Sequence, residues 1–243
     1  MTRFFVTAEE LAANAPQLTG ENAQHAKVLR LKEGEQVLIC DGEGNECLCT
    51  ISEVAAGLVT LNVLERRVSE AEAAVKVSVY LAFPKADKLE HVIQKATELG
   101  AYEIVAFPSA RCISKPDEKS LSKKVERWQK IAASAAEQSG RGRIPQVIVL
   151  GSFQDALKRA AQADKALMFY ENEHAVTLRM ALQSSAYKTV SLLTGPEGGL
   201  EEREVEAARN AGLRVCTLGK RILRCETAPL CALSAVMYDA GEF

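Results

Sequence analysis

The sequence predicts an α/β protein in which a mostly parallel sheet, covered by helices, follows a small β domain. Three observations lead to that class. Strand-like and helix-like segments alternate from Lys76 onward; short alternating strands dominate the chain before Arg67; and a polar, small-residue stretch, Val68-Ser69-Glu70-Ala71-Glu72-Ala73-Ala74, separates the two textures. At 243 residues and 26.4 kDa the chain can hold two modest cores, placed here at 1–70 and 71–243.

In the first domain, Arg3 to Thr7, Gln36 to Cys40, Glu46 to Val54 and Leu58 to Arg66 read as strands, parted by turn chemistry at Asp41-Gly42, Gly44-Asn45 and Gly57. One helix, with Thr19 as N-cap, runs through His25, Val28, Leu29 and Leu31 to Gly34. Such short strands protect their edges best in a closed or half-closed barrel.

In the second domain, strands are expected at Lys76 to Phe83, Glu103 to Phe107, Gln146 to Leu150, Lys165 to Tyr170, Thr189 to Thr194 and Arg214 to Leu218. Between them fall a helix capped by Asp87 and closed by Gly100, a long helix from about Lys119 to Ser139, and one opened by a Ser152/Asp155 capping box. Further helical pieces surround Ala175 to Gln183 and Glu201 to Ala211. In open parallel sheets ligands bind beyond the carboxyl ends of strands. Attention therefore falls on the loops after Tyr170, Thr194 and Leu218.

Composition narrows the function. A 47% hydrophobic share, with apolar runs of strand length only, excludes a disordered chain and a helical membrane span. Met1 to Val6 has no signal-peptide core, so cytoplasm is the default. Seven cysteines without a C-x-x-C pair are expected as buried free thiols, and three scattered histidines argue for no metal. A net charge of −2 speaks against indiscriminate nucleic-acid binding. Charge is uneven, however: Arg111, Lys115, Lys119, Lys123, Lys124, Arg127, Lys130, Arg141 and Arg143 face only Asp117, Glu118, Glu126 and Glu137 between Ser109 and Pro145.

Two segments carry the chemistry. Leu192 to Leu200 is a strand running through Thr194-Gly195-Pro196-Glu197-Gly198-Gly199 into an acidic helix start; its glycines let the backbone approach a ligand, but the spacing fits neither a P-loop nor a dinucleotide fingerprint. The acidic start would also repel phosphate. Leu218 to Ala228 is a second glycine-bearing strand end, with Lys220, Arg221 and Arg224 and no acid before Glu226.

Together these segments resemble the cofactor-binding signature of the 16S ribosomal RNA uracil N3-methyltransferase family, RsmE, of the SPOUT superfamily. Lys85 with Asp87-Lys88-Leu89, Gln94 to Gly100, Arg111-Cys112, Trp128 to Ala132, Glu137 to Arg141 and Pro145 follow the same family in order, and His25 to Arg30 with Asp41-Gly42 resemble its N-terminal domain. The resemblance spans nearly the whole chain. Only Glu171 to Lys188 shows no family pattern, and no site is expected there.

The resemblance implies a SPOUT-type sheet with a C-terminal trefoil knot behind a PUA-like β-barrel, and a homodimer with sites at the interface. It implies S-adenosyl-L-methionine as cofactor, held by Thr194, Gly195, Gly198, Gly199, Leu218, Gly219, Ile222, Leu223 and Thr227. The partner would be 16S ribosomal RNA or the small ribosomal subunit. Arg224 would hold the uracil oxygens, and Glu226 or Glu197 would receive the N3 proton or serve only as structural acceptors. Lys123, Arg127 and Lys130, at i, i+4 and i+7, with Arg141, Arg143 and Arg30, are the candidates for RNA phosphates; Arg3 and Lys27 are weaker ones. Valine at 198 is expected to fill the cofactor slot. The competing readings are a SPOUT enzyme acting on a ribose 2′-hydroxyl or transfer RNA, and a non-catalytic PUA-type RNA binder.

Overall fold

The computed structural model describes residues 1–113, 118–183 and 185–243; Lys115 and Asp117 of the basic stretch lie outside the described residues. The chain forms two compact units, Met1–Glu72 with Ala136–Ile144, and Ala73–Ala135 with Pro145–Phe243.

Unit 1 comprises β1 (Thr2–Phe5), α1 (Ala8–Ala12), β2 (Gln17–Thr19), α2 (Gly20–Val28), β3 (Gln36–Cys40), β4 (Asn45–Ala55) and β5 (Leu58–Val68). Its five-stranded sheet has the order β1-β3-β4-β5-β2, with β1 parallel to β3 and the other pairs antiparallel. Two register shifts between β4 and β5 let the sheet coil around Phe4, Leu18, Ile39, Ile51 and Leu61. Helix α1 was not anticipated, although Thr7 and Glu10 form a full capping box: the Glu10 amide donates to the Thr7 hydroxyl at 3.2 Å and the Thr7 amide to Glu10 at 2.7 Å. Five residues are too few to show periodicity. Thr19 does precede α2, but its side chain makes no cap bond.

Two arginines of unit 1 depart from expectation because they are buried against acids. Arg3 is 8% exposed and donates to Glu46 at 2.7 Å and to the Cys40 sulfur at 2.8 Å, so it is no RNA contact. Arg141, 4% exposed, meets Glu72 at 2.7 Å, which removes it from the phosphate candidates as well. The same Glu72 carboxylate accepts the Gly142 and Arg143 amides at 3.0 and 3.1 Å, pinning the second segment of the unit. Gly142 is required there because any β-carbon would collide with the Ser69 side chain. Arg143 is half-buried, 3.6 Å from Glu43.

Unit 2 comprises β6 (Lys76–Ala82), α3 (Lys88–Glu98), β7 (Glu103–Phe107), α4 (Glu118–Ser139, its last turn counted with unit 1), β8 (Gln146–Val149) and α5 (Phe153–Ala160), followed by β9 (Lys165–Phe169), α6 (Leu178–Leu182), β10 (Thr189–Thr194), α7 (Glu202–Asn210), β11 (Arg214–Cys216) and α8 (Thr227–Asp239). The six strands are all parallel, in the order β11-β9-β10-β6-β7-β8. Every residue of β7 is buried, as a strand covered on both faces requires.

Helix α5 begins as the sequence suggests, Ser152 accepting the Asp155 amide at 3.1 Å. Asp87 stands at the start of α3 without a side-chain cap bond. Helix α8 buries Pro229, Ala232, Leu233, Val236 and Met237 and packs on α3, β6 and β10. Not every cysteine is buried: all seven are free, but Cys231 is exposed and Cys112 half-buried. Among the described residues no helix is long and apolar enough to cross a membrane.

Truncating one partner of a buried ion pair strands the other charge. Glu72→Ala is therefore expected to cost unit 1 about 3 kcal/mol, measured as a lower urea midpoint with unchanged slope. A shift equivalent to under about 1 kcal/mol would mean that Arg141 finds other compensation.

Candidate functional site

Three neighbouring strands, β11, β9 and β10, release their chains at the same edge of the sheet. The segments that follow them, Phe169 to Glu171, Thr194 to Gly199 and Thr217 to Cys225, line one cavity of ≈ 460 Å³, with Lys88 of α3 and Ala228 of α8 completing the wall. All three loops singled out from the sequence thus meet. Gly195, Gly198, Gly199, Leu218, Gly219, Ile222 and Leu223 stand in this wall. Thr194 does too, though its hydroxyl donates to the Tyr80 carbonyl at 3.2 Å. Thr227 does not line it; it is exposed in the first turn of α8, where its backbone amide donates to the Arg224 carbonyl at 2.9 Å.

The glycines are needed at specific points. Gly199 has φ +70°, and a β-carbon there would run into the Glu171 carboxylate. A β-carbon at Gly195 would stand 3.0 Å from Leu200 Cγ. At Gly198 it would meet Arg111 Cβ at 3.1 Å, so a valine would first displace Arg111, whose guanidinium donates to the Gly198 carbonyl at 2.9 Å. The expected filling of the slot would thus come with pressure on its wall at Arg111.

The charges form one cluster. Lys88 Nζ lies 3.0 Å from Glu197 and 3.1 Å from Glu226, bridging the glycine turn to the entry of α8. Both contacts hold the Lys88 pKa above the usual lysine range. Burial would raise the Glu197 carboxyl, but the Lys85 amide at 3.0 Å and the Lys88 ammonium outweigh it and keep it below the ordinary value. Glu226 behaves alike: desolvation raises it, while its own amide, the Cys225 thiol and Lys88 lower it further. Burial and the adjacent Glu226 push the Cys225 thiol up to about 12, so it is no thiolate nucleophile. Arg221 and Arg224, exposed at the rim, have no ion-pair partner among the described residues.

The structure brings in residues that sequence reasoning passed over. Lys88 was visible only as part of a motif. Glu171 fell in a stretch where no site was expected, although it directly follows a loop position already singled out. Tyr170 and Phe169 accompany it. Outside the cavity, Lys123, Arg127 and Lys130 are exposed on α4. Arg127 is engaged by Glu90 at 2.7 Å, whereas Lys123 and Lys130 have no ion-pair partner among the described residues. Arg30 is exposed, with φ +56°, just beyond α2. No group of His, Cys, Asp and Glu suited to a metal occurs among the described residues.

Because Glu197 and Glu226 are lowered from 4.5 in the fold, their stabilisation is complete above that value and is lost as pH falls through the folded values. Lys88→Met should flatten this acid dependence, followed as melting temperature between pH 6 and pH 3. An unchanged profile would mean that Lys88 does not couple the two carboxylates.

Comparison with known proteins agrees with this architecture. A family profile described as RNA methyltransferase domain matches residues 71–237, and one described as RNA methyltransferase PUA domain matches residues 18–64. The ribosomal RNA small subunit methyltransferase E of Bacillus subtilis is 42% identical over 98% of this chain and 97% of its own. That of Mycobacterium bovis is 34% identical over 89% and 84%. The crystal structure of the Neisseria gonorrhoeae ribosomal RNA small subunit methyltransferase E bound to S-adenosyl methionine superposes with a TM-score of 0.87 at 30% identity, covering 98% and 97% of the two chains. With a methyltransferase profile over most of its length and such relatives over nearly all of it, the chain belongs to the RsmE family of RNA methyltransferases.

Proposed function

We propose that this chain transfers a methyl group from S-adenosyl-L-methionine to N3 of a uridine in 16S ribosomal RNA, within the small ribosomal subunit or its free RNA. The observation that carries the proposal is the single cavity shared by the loops after β9, β10 and β11. Its size suits an adenosine-type ligand, and glycine backbone with Leu218, Ile222 and Leu223 offers the mostly apolar slot that such a ligand needs. Bound there, the cofactor supplies an electrophilic methyl on a sulfonium.

The residues of the chain then have two tasks, alignment and charge. Arg224, with its carbonyl fixed by the Thr227 and Ala228 amides and its side chain exposed at the rim, would hold the uracil oxygens as N3 becomes anionic. Glu197 and Glu226, kept ionised by Lys88, are poorly matched to the much weaker acid at uracil N3. We assign them to anchoring Lys88 and the loop amides, with the N3 proton passing to solvent hydroxide. The rim arginines favour the ionised base electrostatically.

Helix α8 returns from β11 across the sheet to α3 and β6, which supports a trefoil knot at this end of the chain. The remaining outer face of α8, with Cys231 and Tyr238 exposed, is the surface we assign to a homodimer. Small-subunit RNA as substrate supports a cytoplasmic location.

Labelled methyl transfer to small subunits lacking the modification, and to naked 16S ribosomal RNA, followed by nucleoside mass spectrometry, tests the assignment. The expected product is 3-methyluridine; a methyl on ribose or on another base overturns it. Arg224→Ala should lower kcat about 100-fold and move the rising limb of its pH profile to higher pH. For RNA, replacing Lys123 and Lys130 by alanine should weaken binding and reduce the salt slope by about 1 to 2, as measured by fluorescence anisotropy across a salt series. An unchanged slope would return that face to ordinary solvated surface.

A further inference from the structure

Three carboxylates stand in or directly behind the cavity wall, and two of them are committed. Glu197 accepts from the Lys85 amide and from Lys88; Glu226 accepts from Lys88 and the Cys225 thiol. Glu171 has no hydrogen-bond or ion-pair partner among the described residues, yet it lines the cavity. Its place follows from the sheet. It is the second residue beyond β9, and β9 lies directly beside β10, whose end becomes the glycine turn. The carboxylate occupies the space that a side chain on Gly199 would need, so the glycine there leaves an acceptor lying over the turn.

We propose that Glu171 is the ribose subsite of the cavity, its carboxylate accepting hydrogen bonds from the vicinal hydroxyls of an adenosine-type donor. The inference rests on the reading of this cavity as the methyl-donor site. An ionised carboxylate has two acceptor oxygens and no donor, and a vicinal diol presents two O–H donors at matching spacing. In parallel α/β sheets, a carboxylate near the end of the strand beside a glycine-rich turn is suited to reading ribose, because the turn fixes the rest of the nucleoside against it. Phosphate is disfavoured by the same charge. The subsite thus distinguishes a free nucleoside thioether or sulfonium from a nucleotide.

The test is calorimetry on the full chain with S-adenosylhomocysteine, its 2′-deoxy counterpart and the analogue lacking the amino group, for the unaltered protein, Glu171→Ala and Glu171→Gln. The unaltered protein should bind the ribose compound about 10- to 100-fold more tightly than the deoxy one. Glu171→Ala should erase that preference, and Glu171→Gln should keep part of it, with thermal melts showing all three folded. A preference undiminished in Glu171→Ala overturns the proposal. So does a loss that disappears only with the analogue lacking the amino group, which would put the carboxylate at the ammonium. If the unaltered protein binds none of the three, the methyl-donor reading falls and the subsite with it.

Discussion

The site depends on adjacency that the chain order does not supply. Strands β9, β10 and β11 follow one another in sequence, but in the sheet β9 lies between the other two. Because all are parallel, their carboxyl ends open at one edge, and the loop after β9 stands between the glycine turn and the basic loop. A hairpin sheet would send alternate loops to opposite edges. One wall of glycine backbone, one of apolar side chains and a carboxylate between them are thus a consequence of strand direction and order.

Lys88 then fixes the distance between the walls. It comes from α3, outside the three strand loops, and bridges Glu197 of the glycine turn to Glu226 at the start of α8. Two carboxylates beside one ammonium are mutually repulsive unless the cation stays between them, so the cluster resists any rearrangement that moves either loop alone. The same arrangement limits chemistry: acids held ionised below their ordinary range hold protons weakly. On the proposed function, catalytic effort at this edge falls on alignment and on the cations of the rim.

Much of this was legible in the sequence because it rests on local rules. The alternation of strands with helices, the glycines of Thr194 to Gly199 and the boundaries of α4 and α5 follow from periodicity, backbone freedom and capping. The pairing of the two glycine-bearing segments came from resemblance, and strand order explains it physically. What escaped was tertiary. Glu171 has no distinctive neighbours in sequence, and only the placement of β9 beside β10 brings it over Gly199. Lys88 reads as an ordinary first-turn helix lysine until Glu197 and Glu226 converge on it. Helix α1 carried a readable capping box but is too short for an apolar stripe.

The basic residues show the same limit in a form that bears on function. Counting Lys and Arg between Ser109 and Pro145 measures charge, not its availability. Arg141 answers to Glu72 and Arg127 to Glu90, while in the first strand Arg3 answers to Glu46. Burial alone separates these cases, since Arg141 is 4% exposed and Arg127's side chain 66%. An exposed pair in water is worth little and can exchange its carboxylate for a phosphate at small cost, whereas a buried pair cannot open without stranding a charge. On the proposed function, Arg127 can therefore join Lys123 and Lys130 in meeting an RNA phosphate, and Arg141 cannot. The effective cationic face is the exposed run along α4, narrower than composition suggests, and its width follows from which acids the fold places against which arginines.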